Sequence, residues 1–261
     1  MSKKTKKPKK ATFVSFLLDE TGSMQSIKDD TVGGFNAYVE TLQKGGADII
    51  FSLVSFNSSV TQKRYVAEPI DKIEPLTDAN YQPRAMTPLI DASVKIINAT
   101  AEAVQQRDDD PNVVIVMQTD GQENVSVEYT TADLAALIKE KDAAGWQFVF
   151  LGAGLDAFAA AREAGIMIDA QQVVAYDKKR SREVFAATAA NVQAFAATGQ
   201  AEALHYTRKQ RARVGDQYTD KYLDSNAGLS QEPPASKKKK KRFEKKDQPS
   251  STVDDIDLGA A

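Results

Sequence analysis

The chain has 261 residues, of which 42% are hydrophobic, and a formal net charge of −2. It can therefore bury a sizeable core, and wholesale disorder is excluded. It contains no cysteine and one histidine, His205, so disulfides, zinc–thiolate sites, thiol nucleophiles and multi-histidine metal sites are excluded as well. No stretch approaches the roughly 20 apolar residues of a membrane span, and we expect a cytoplasmic protein with no membrane partner.

The charge is divided sharply along the chain. Residues 1–10 carry six lysines and no acid, and residues 237–246 carry eight basic residues and one acid. The part between them, 11–236, holds 20 basic and 31 acidic residues and is therefore near −11. Nucleic-acid binding by the globular part is disfavoured, because phosphate contacts need clustered Lys and Arg. We expect at most weak nucleic-acid binding, through the basic tails.

Apolar runs alternate with amphipathic segments along the chain. The predicted strands span 12–18, 47–56, 60–66, 113–118, 146–151 and 172–175. The predicted helices span 25–43, 89–106, 131–144, 155–164 and 181–197. The run at 12–18 is unbroken, which is typical of a central strand covered on both faces. The turn residues Asn57, Ser58 and Ser59 predict a hairpin that makes 60–66 an antiparallel edge strand.

This alternation predicts an α/β fold with a doubly wound, Rossmann-like, mostly parallel six-stranded sheet and helices on both faces. The predicted organisation is a basic disordered arm over 1–10, the main domain over 11–197, a helical extension over 198–224 and a disordered charged tail over 225–261. A short helix is expected near 77–81, in the irregular segment that carries Thr87. The pair Gly33–Gly34 lowers helix propensity, and we expect it to pack closely against the sheet.

Three separated segments supply oxygen donors, two of them at strand ends. In 16-FLLDETGSM-24 a buried strand ends at Asp19, and the turn that follows presents Thr21 and Ser23. The segment 86-MTPL-89 contains Thr87, and the run 113-VVIVMQTDGQEN-124 ends at Asp120. Carboxylate and hydroxyl oxygens suit a hard cation such as Mg²⁺. Ligands of open α/β sheets bind at the carboxyl ends of the strands where the strand order reverses.

The pattern D-x-T-x-S, then a lone Thr, then T-D-G resembles the von Willebrand factor A (vWA) family over roughly residues 11 to 195. Its metal-ion-dependent adhesion site (MIDAS) is usually written D-x-S-x-S…T…D, and small stand-alone members of this kind are typical of bacteria and their phages. Here Thr21 stands where the family usually has Ser, but the hydroxyl is retained. We therefore expect the site to be retained as well.

The resemblance implies a role for each residue of the site. Thr21 and Ser23 would ligate Mg²⁺ (or Mn²⁺) directly, and Asp19 and Asp120 would act largely through bound water. Thr87 would join directly when the site is open. A Glu or Asp of a partner protein would fill the remaining coordination position, so the implied function is a non-enzymatic, metal-dependent protein-binding module.

Other interpretations remain open on the sequence. The carboxylates could merely terminate strands while Thr21 and Ser23 cap a helix. DETGSM is also similar to the nucleophile motif of haloacid dehalogenase-like phosphatases, in which Asp19 would form an aspartyl-phosphate. However, simple hydrolases of that class have an Asp general acid where this chain has Thr21. A structural or assembly component of a phage or bacterial complex, virion-associated if phage-encoded, and an adaptor of an AAA+ ATPase are further hypotheses.

Overall fold

The computed structural model describes residues 10–223. Most of the predicted basic arm and the whole charged tail, 225–261, lie outside the described residues, so these predictions stay untested. One sheet contains the strands β1 (Thr12–Asp19), β2 (Ile49–Phe56), β3 (Thr61–Pro69), β4 (Asn112–Thr119), β5 (Gln147–Ala153) and β6 (Val173–Tyr176). The α-helices are α1 (Lys28–Lys44), α2 (Leu89–Gln105), α3 (Thr131–Ala143), α4 (Ala157–Ala164), α5 (Ser181–Thr198), α6 (Arg208–Val214) and α7 (Thr219–Leu223).

The strand order is β3-β2-β1-β4-β5-β6, with β3 antiparallel and the other strands parallel. The predicted six-stranded, doubly wound sheet with one antiparallel edge strand is confirmed. The chain winds outward in opposite directions from β1 and β4, so the strand order reverses between these two neighbours. Leu18 pairs with Gln118 across that boundary, and the register brings Asp19 and Asp120 to the same edge of the sheet.

Two apolar layers cover the two faces of the sheet. The side chains of β1 alternate between them: Phe16 packs in the layer with α1 and α5, and Leu17 packs in the layer with α2, α3 and α4. Both side chains are fully buried. This explains why the sequence of β1 is apolar throughout rather than alternating. No helix within residues 10–223 combines the length and apolar character of a membrane span.

The predicted helix over 25–43 begins differently. A 3-10 helix spans Gly22–Ile27, and α1 starts at Lys28. The close packing predicted for Gly33–Gly34 is present, but its partner is α5 rather than the sheet. A Cβ atom at Gly34 would lie 2.7 Å from the ring of Phe185, and one at Gly33 would lie 3.1 Å from the guanidinium of Arg182. The glycine pair therefore lets two helices on the same face approach each other.

The short helix expected near 77–81 was wrong, because residues 78–80 form a turn. The Thr77 backbone N–H donates to Asn80 Oδ1 at 2.7 Å and the Asn80 N–H donates back to Thr77 Oγ1 at 3.3 Å. This reciprocal pair can open a helix, but Pro83 disfavours its continuation. The Tyr81 hydroxyl then donates to the Asp19 carbonyl at 2.5 Å. The turn thereby fixes the irregular segment on the end of β1.

The region predicted to be a helical extension forms three short helices rather than one. They are the 3-10 helix Ala201–Leu204, α6 and α7. Gly215 ends α6 in the left-handed region, at φ 77°. The Asp177 N–H donates to the Val214 carbonyl at 2.9 Å, so this region packs along the edge of β6.

Candidate metal-binding site

Asp19 occupies the innermost position of the candidate site, at the end of β1. Its Oδ1 accepts from the Thr21 backbone N–H at 2.7 Å, and its Oδ2 accepts from the Thr119 hydroxyl at 2.5 Å. The residue is fully buried. Burial raises the pKa of Asp19 to about 6, the hydrogen bonds oppose that rise, and the charge of Asp120 adds to it. Asp19 is therefore a buried carboxylate that hydrogen bonds hold in place.

The two hydroxyls of the first motif lie between the carboxylates. Thr21 Oγ1 and Ser23 Oγ are 3.2 Å apart, and Ser23 Oγ donates to Asp120 Oδ1 at 2.5 Å. The backbone turns through the 3-10 helix at this point, where the Met24 N–H donates to the Thr21 carbonyl. Thr21 is buried, whereas Ser23 is exposed. Ser23 is thus the oxygen of this set that solvent reaches most directly.

Thr87 lies just before α2, and hydrogen bonds to Asn124 in the loop after β4 hold it at the same place. Its backbone N–H donates to Asn124 Oδ1 at 3.0 Å, and the Asn124 N–H donates back to the Thr87 carbonyl at 3.2 Å. Gly121 lies beside the pair of hydroxyls: a Cβ atom there would be 3.1 Å from Thr87 Oγ1 and 3.6 Å from Ser23 Oγ. Glycine at 121 therefore allows the three motif segments to meet.

The structure brings all five sequence-predicted residues to one crevice at the carboxyl edge of the sheet, between β1 and β4. Their roles as metal ligands stay predictions. Within residues 10–223, no group of three or more His, Cys, Asp or Glu side chains could hold a metal ion. A cation in this crevice would consequently depend on the hydroxyls for part of its coordination. Two carboxylates and three hydroxyls are hard oxygen donors, a chemistry that fits Mg²⁺ or Mn²⁺.

Lys178 is a residue of the site that sequence reasoning missed. Its Nζ donates to Asp120 Oδ2 at 2.6 Å, and the Asp120 side chain is 0% exposed while that of Lys178 is 36% exposed. Lys178 follows β6, which is two strands away from β4 in the sheet. In the sequence it stands in a polar segment, 177-DKKR-180, that has the composition of an ordinary surface loop. No local pattern marks it.

Glu20 was also missed, although it lies inside the first motif. Its carboxylate forms an ion pair with Arg64 at 2.8 Å and accepts from Ser55 Oγ and from the Gln82 backbone N–H. Both charged side chains are 8% exposed. This cluster holds the 82–87 loop against β2 and β3, so it positions Thr87. The adjacent Asp19 is the acid that matches the motif. The sequence alone does not show that Glu20 has a different, structural role.

The loop after β4 is anchored to α2 by two acids, Asp91 and Glu123. Asp91 accepts from the backbone N–H groups of Val127 and Tyr129, both at 2.9 Å. Glu123 accepts from the N–H of Ile90 at 2.8 Å. Asp91 and Glu123 therefore hold the loop that carries Asp120 and Gly121 against α2.

Comparison with solved structures shows where else this fold occurs. The pilus adhesin SpaC from Lactobacillus rhamnosus GG matches with a TM-score of 0.53 and 12% identity, over 72% of this chain and 31% of that chain. Proximal thread matrix protein 1 (PTMP1) from the mussel byssus matches with a TM-score of 0.51 and 13% identity, over 67% and 46%. A von Willebrand factor type A protein from Catenulispora acidiphila has a TM-score of 0.49 at 14% identity, over 71% and 43%.

The doubly wound sheet and its flanking helices define a vWA-like fold, shared with parts of SpaC and PTMP1. This chain spans less than half the length of each of these proteins. At such low identities the likeness concerns the fold alone. No protein-family model matches the sequence, and no curated protein matches it.

Proposed function

We propose that this chain is a metal-dependent protein-binding module. In this proposal Asp19, Thr21, Ser23, Thr87 and Asp120 hold a divalent cation, Mg²⁺ or Mn²⁺. A Glu or Asp of a partner protein then binds at the crevice. The observation that carries the proposal is the convergence of two buried carboxylates and three hydroxyls from three separate segments at the carboxyl edge of the sheet.

Each part of the crevice has a physical task in this function. Asp19 and Asp120 supply negative charge in a place that is shielded from water, and that charge favours a cation. Thr21, Ser23 and Thr87 supply neutral oxygens, so the site does not become strongly anionic. A bound Mg²⁺ or Mn²⁺ supplies an open coordination position that a carboxylate can fill. Exposed Ser23 marks the side from which the partner approaches.

We further propose that the chain is not an enzyme. A nucleophilic Asp19 would have to present a carboxylate oxygen to a phosphate ester. Asp19 is fully buried, and Thr21 and Thr119 each occupy one of its oxygens. This arrangement holds the carboxylate in place instead of presenting it, which supports a binding role over the phosphatase alternative.

The partner itself is left to experiment. SpaC is described as a pilus adhesin and PTMP1 as a matrix protein of the mussel byssus. For this chain, an acidic protein partner follows from the open position of the proposed site. An AAA+ ATPase and a component of a phage or bacterial assembly are the specific partners to test first.

The metal half of the proposal is tested by calorimetric titration of the EDTA-stripped full chain with MnCl₂. We expect one site, and we expect Asp19→Ala and Asp120→Ala each to abolish it. Asp71→Ala is the matched control, because it removes the same charge from a side chain that is 68% exposed. Absence of binding in the unsubstituted chain, or equal loss in the control, would contradict the metal site.

The partner half is tested by affinity capture in Mg²⁺ and in EDTA, followed by mass spectrometry. A genuine partner should be retained in Mg²⁺, released by EDTA, and lost with Ser23→Ala. Its binding should then be lost on replacing a single Asp or Glu of that partner by Asn or Gln. Retention that is indifferent to both EDTA and the Ser23 substitution would count against capture through the metal.

A further inference from the structure

The side chain of Lys178 takes an unusual path. It starts after the end of β6, in the 3-10 helix Lys178–Arg180, and crosses the end of β5 before it reaches Asp120 after β4. The Lys178 and Asp120 side chains together bridge two strand spacings, about 10 Å. It crosses over Gly154, where a Cβ atom would lie 2.9 Å from both Cγ and Cε of Lys178. Gly154 also has a φ of 68°. Glycine at this position therefore adopts the left-handed backbone conformation and leaves space for the lysine stem.

The end point of this path is the carboxylate that the proposed cation needs. Asp120 has two oxygens: Oδ1 accepts from Ser23 and Oδ2 accepts from Lys178. The ammonium therefore supplies a positive charge where the cation would otherwise supply it. An ammonium and a divalent cation repel each other strongly at such short range, particularly beside side chains that are shielded from water.

We propose that Lys178 is a built-in competitor for the cation site, which neutralises Asp120 in the metal-free protein and leaves Asp120 when a divalent cation binds. This inference rests on the proposed metal site. It assigns a residue from outside the three motifs to the control of metal affinity. The metal-free crevice is thereby protected from the repulsion between two buried carboxylates, at the cost of weaker metal binding.

The displaced side chain has room to move. A cavity of about 250 Å³ borders Lys178 and is lined also by Gly154, Tyr176, Asp177 and Tyr218. The side chain is already 36% exposed, so its ammonium can return to water with a small rotation of its stem. Asp177 adds an acidic group to the wall of the same cavity.

The test compares full-length Lys178→Met with Lys179→Met. Lys179 is the adjacent, exposed residue of the same 3-10 helix, so both variants lose one positive charge. Calorimetric titration with MnCl₂ should show about tenfold tighter binding for Lys178→Met, the scale of one hydrogen bond to a charged group. Lys179→Met should stay within about twofold of the unsubstituted chain, because an exposed charge is largely screened.

Thermal melts supply a second readout, the difference between the melting penalty in EDTA and in Mn²⁺, which a merely structural lysine would not change. In EDTA, Lys178→Met should melt below the unsubstituted chain, since its carboxylates lose their cation. In saturating Mn²⁺ this difference should vanish or reverse. Lys178→Gln, which retains a hydrogen-bond donor without the charge, is the second variant if Lys178→Met does not fold, and it should show the same pattern.

The outcomes separate the two proposals. Unchanged Mn²⁺ affinity, with an equal melting penalty in EDTA and in Mn²⁺, would make Lys178 a structural ion pair and overturn the competitor while leaving the metal site intact. Absence of Mn²⁺ binding in every variant would overturn both proposals. Binding by Lys178→Met alone would support the competitor in its strongest form, and would overturn metal dependence for the unsubstituted chain.

Discussion

The candidate metal site and the C-terminal region of the fold both bury charge, but they compensate it differently. Arg211, on α6, is 1% exposed and forms an ion pair with Asp216 at 2.8 Å. Its guanidinium also donates to the carbonyls of Val173, Ala170, Gln171 and Tyr206. At the candidate metal site, by contrast, two buried carboxylates lie close together, and the lysine at the rim is paired with Asp120.

Buried charge serves stability at Arg211, whereas the role we propose for Asp19 and Asp120 is in binding. Each guanidinium nitrogen of Arg211 donates to a partner, and these hydrogen bonds hold the C-terminal helices at the edge of β6. That region is complete with the groups the chain supplies. Asp19 is held by hydrogen bonds alone, whereas Asp120 is paired with Lys178. Incomplete compensation of buried charge is a mark of functional sites.

Removing the Arg211 guanidinium should destabilise the fold strongly. Arg211→Met leaves buried Asp216 without its counter-charge and removes one hydrogen bond from each of several carbonyls, so the free energy of unfolding should fall by about 3–5 kcal/mol. Denaturant unfolding measures it, and the loss should be the same in EDTA and in Mg²⁺. Arg213→Met, an exposed neighbour on α6, is the control and should stay within about 0.5 kcal/mol. A loss that Mg²⁺ restores would contradict the division between the two regions.

The next effect concerns the pH dependence of the metal-free protein. The folded-state pKa of Asp19 is about 6 against an ordinary 3.8, so the folded chain holds this proton more tightly than the unfolded chain. The contribution is fully present below pH 3.8 and is lost as pH rises through about 6. Two pKa units correspond to roughly 3 kcal/mol. In EDTA, the stability difference between the unsubstituted chain and Asp19→Ala should shift by this amount between pH 4 and pH 7.5. An unchanged difference over that range would show that Asp19 is not strained by burial.

A slightly smaller effect is expected from the metal. A cation that binds the folded crevice and not the unfolded chain stabilises by about 2.7 kcal/mol at a free concentration of 100 times its Kd. The melting temperature should therefore rise with Mg²⁺, and Asp19→Ala should abolish the rise while the domain stays folded. Below pH 6 the rise should shrink, because the proton on Asp19 competes with the cation. A melt indifferent to Mg²⁺, Mn²⁺ and EDTA alike would contradict this prediction.

The smallest effect is expected from the basic ends of the chain. Deleting 1–10 and 225–261 should leave the melting temperature and its response to Mg²⁺ nearly unchanged. The one ion pair lost from the described residues joins Lys10 to Asp110 at the surface, and such pairs contribute about 0–1 kcal/mol. Any nucleic-acid binding by the full chain should fall steeply with salt and disappear with the deletion. Binding by the shortened chain at 0.2 M salt would mean that the acidic globular part has a basic face.

The amino-acid pattern is sufficient to predict the sheet and the position of the motif residues. Unbroken apolar runs such as β1 and β4 must be buried strands, and polar residues directly after them must lie at the sheet edge. Asp19, Thr21, Ser23 and Asp120 were therefore placed by local pattern alone. Thr87 needed the resemblance to a known motif, because its segment is irregular and has no periodicity.

The contacts between elements, in contrast, become visible only in the assembled fold. The partner of Gly33–Gly34 is α5, which lies about 150 residues later in the chain. Lys178 reaches Asp120 across the end of β5, over a glycine that leaves space for its stem. Sequence patterns report which face of an element is buried. A long, flexible side chain that bridges distant strands leaves no periodic trace, so its contact appears only when the sheet is assembled.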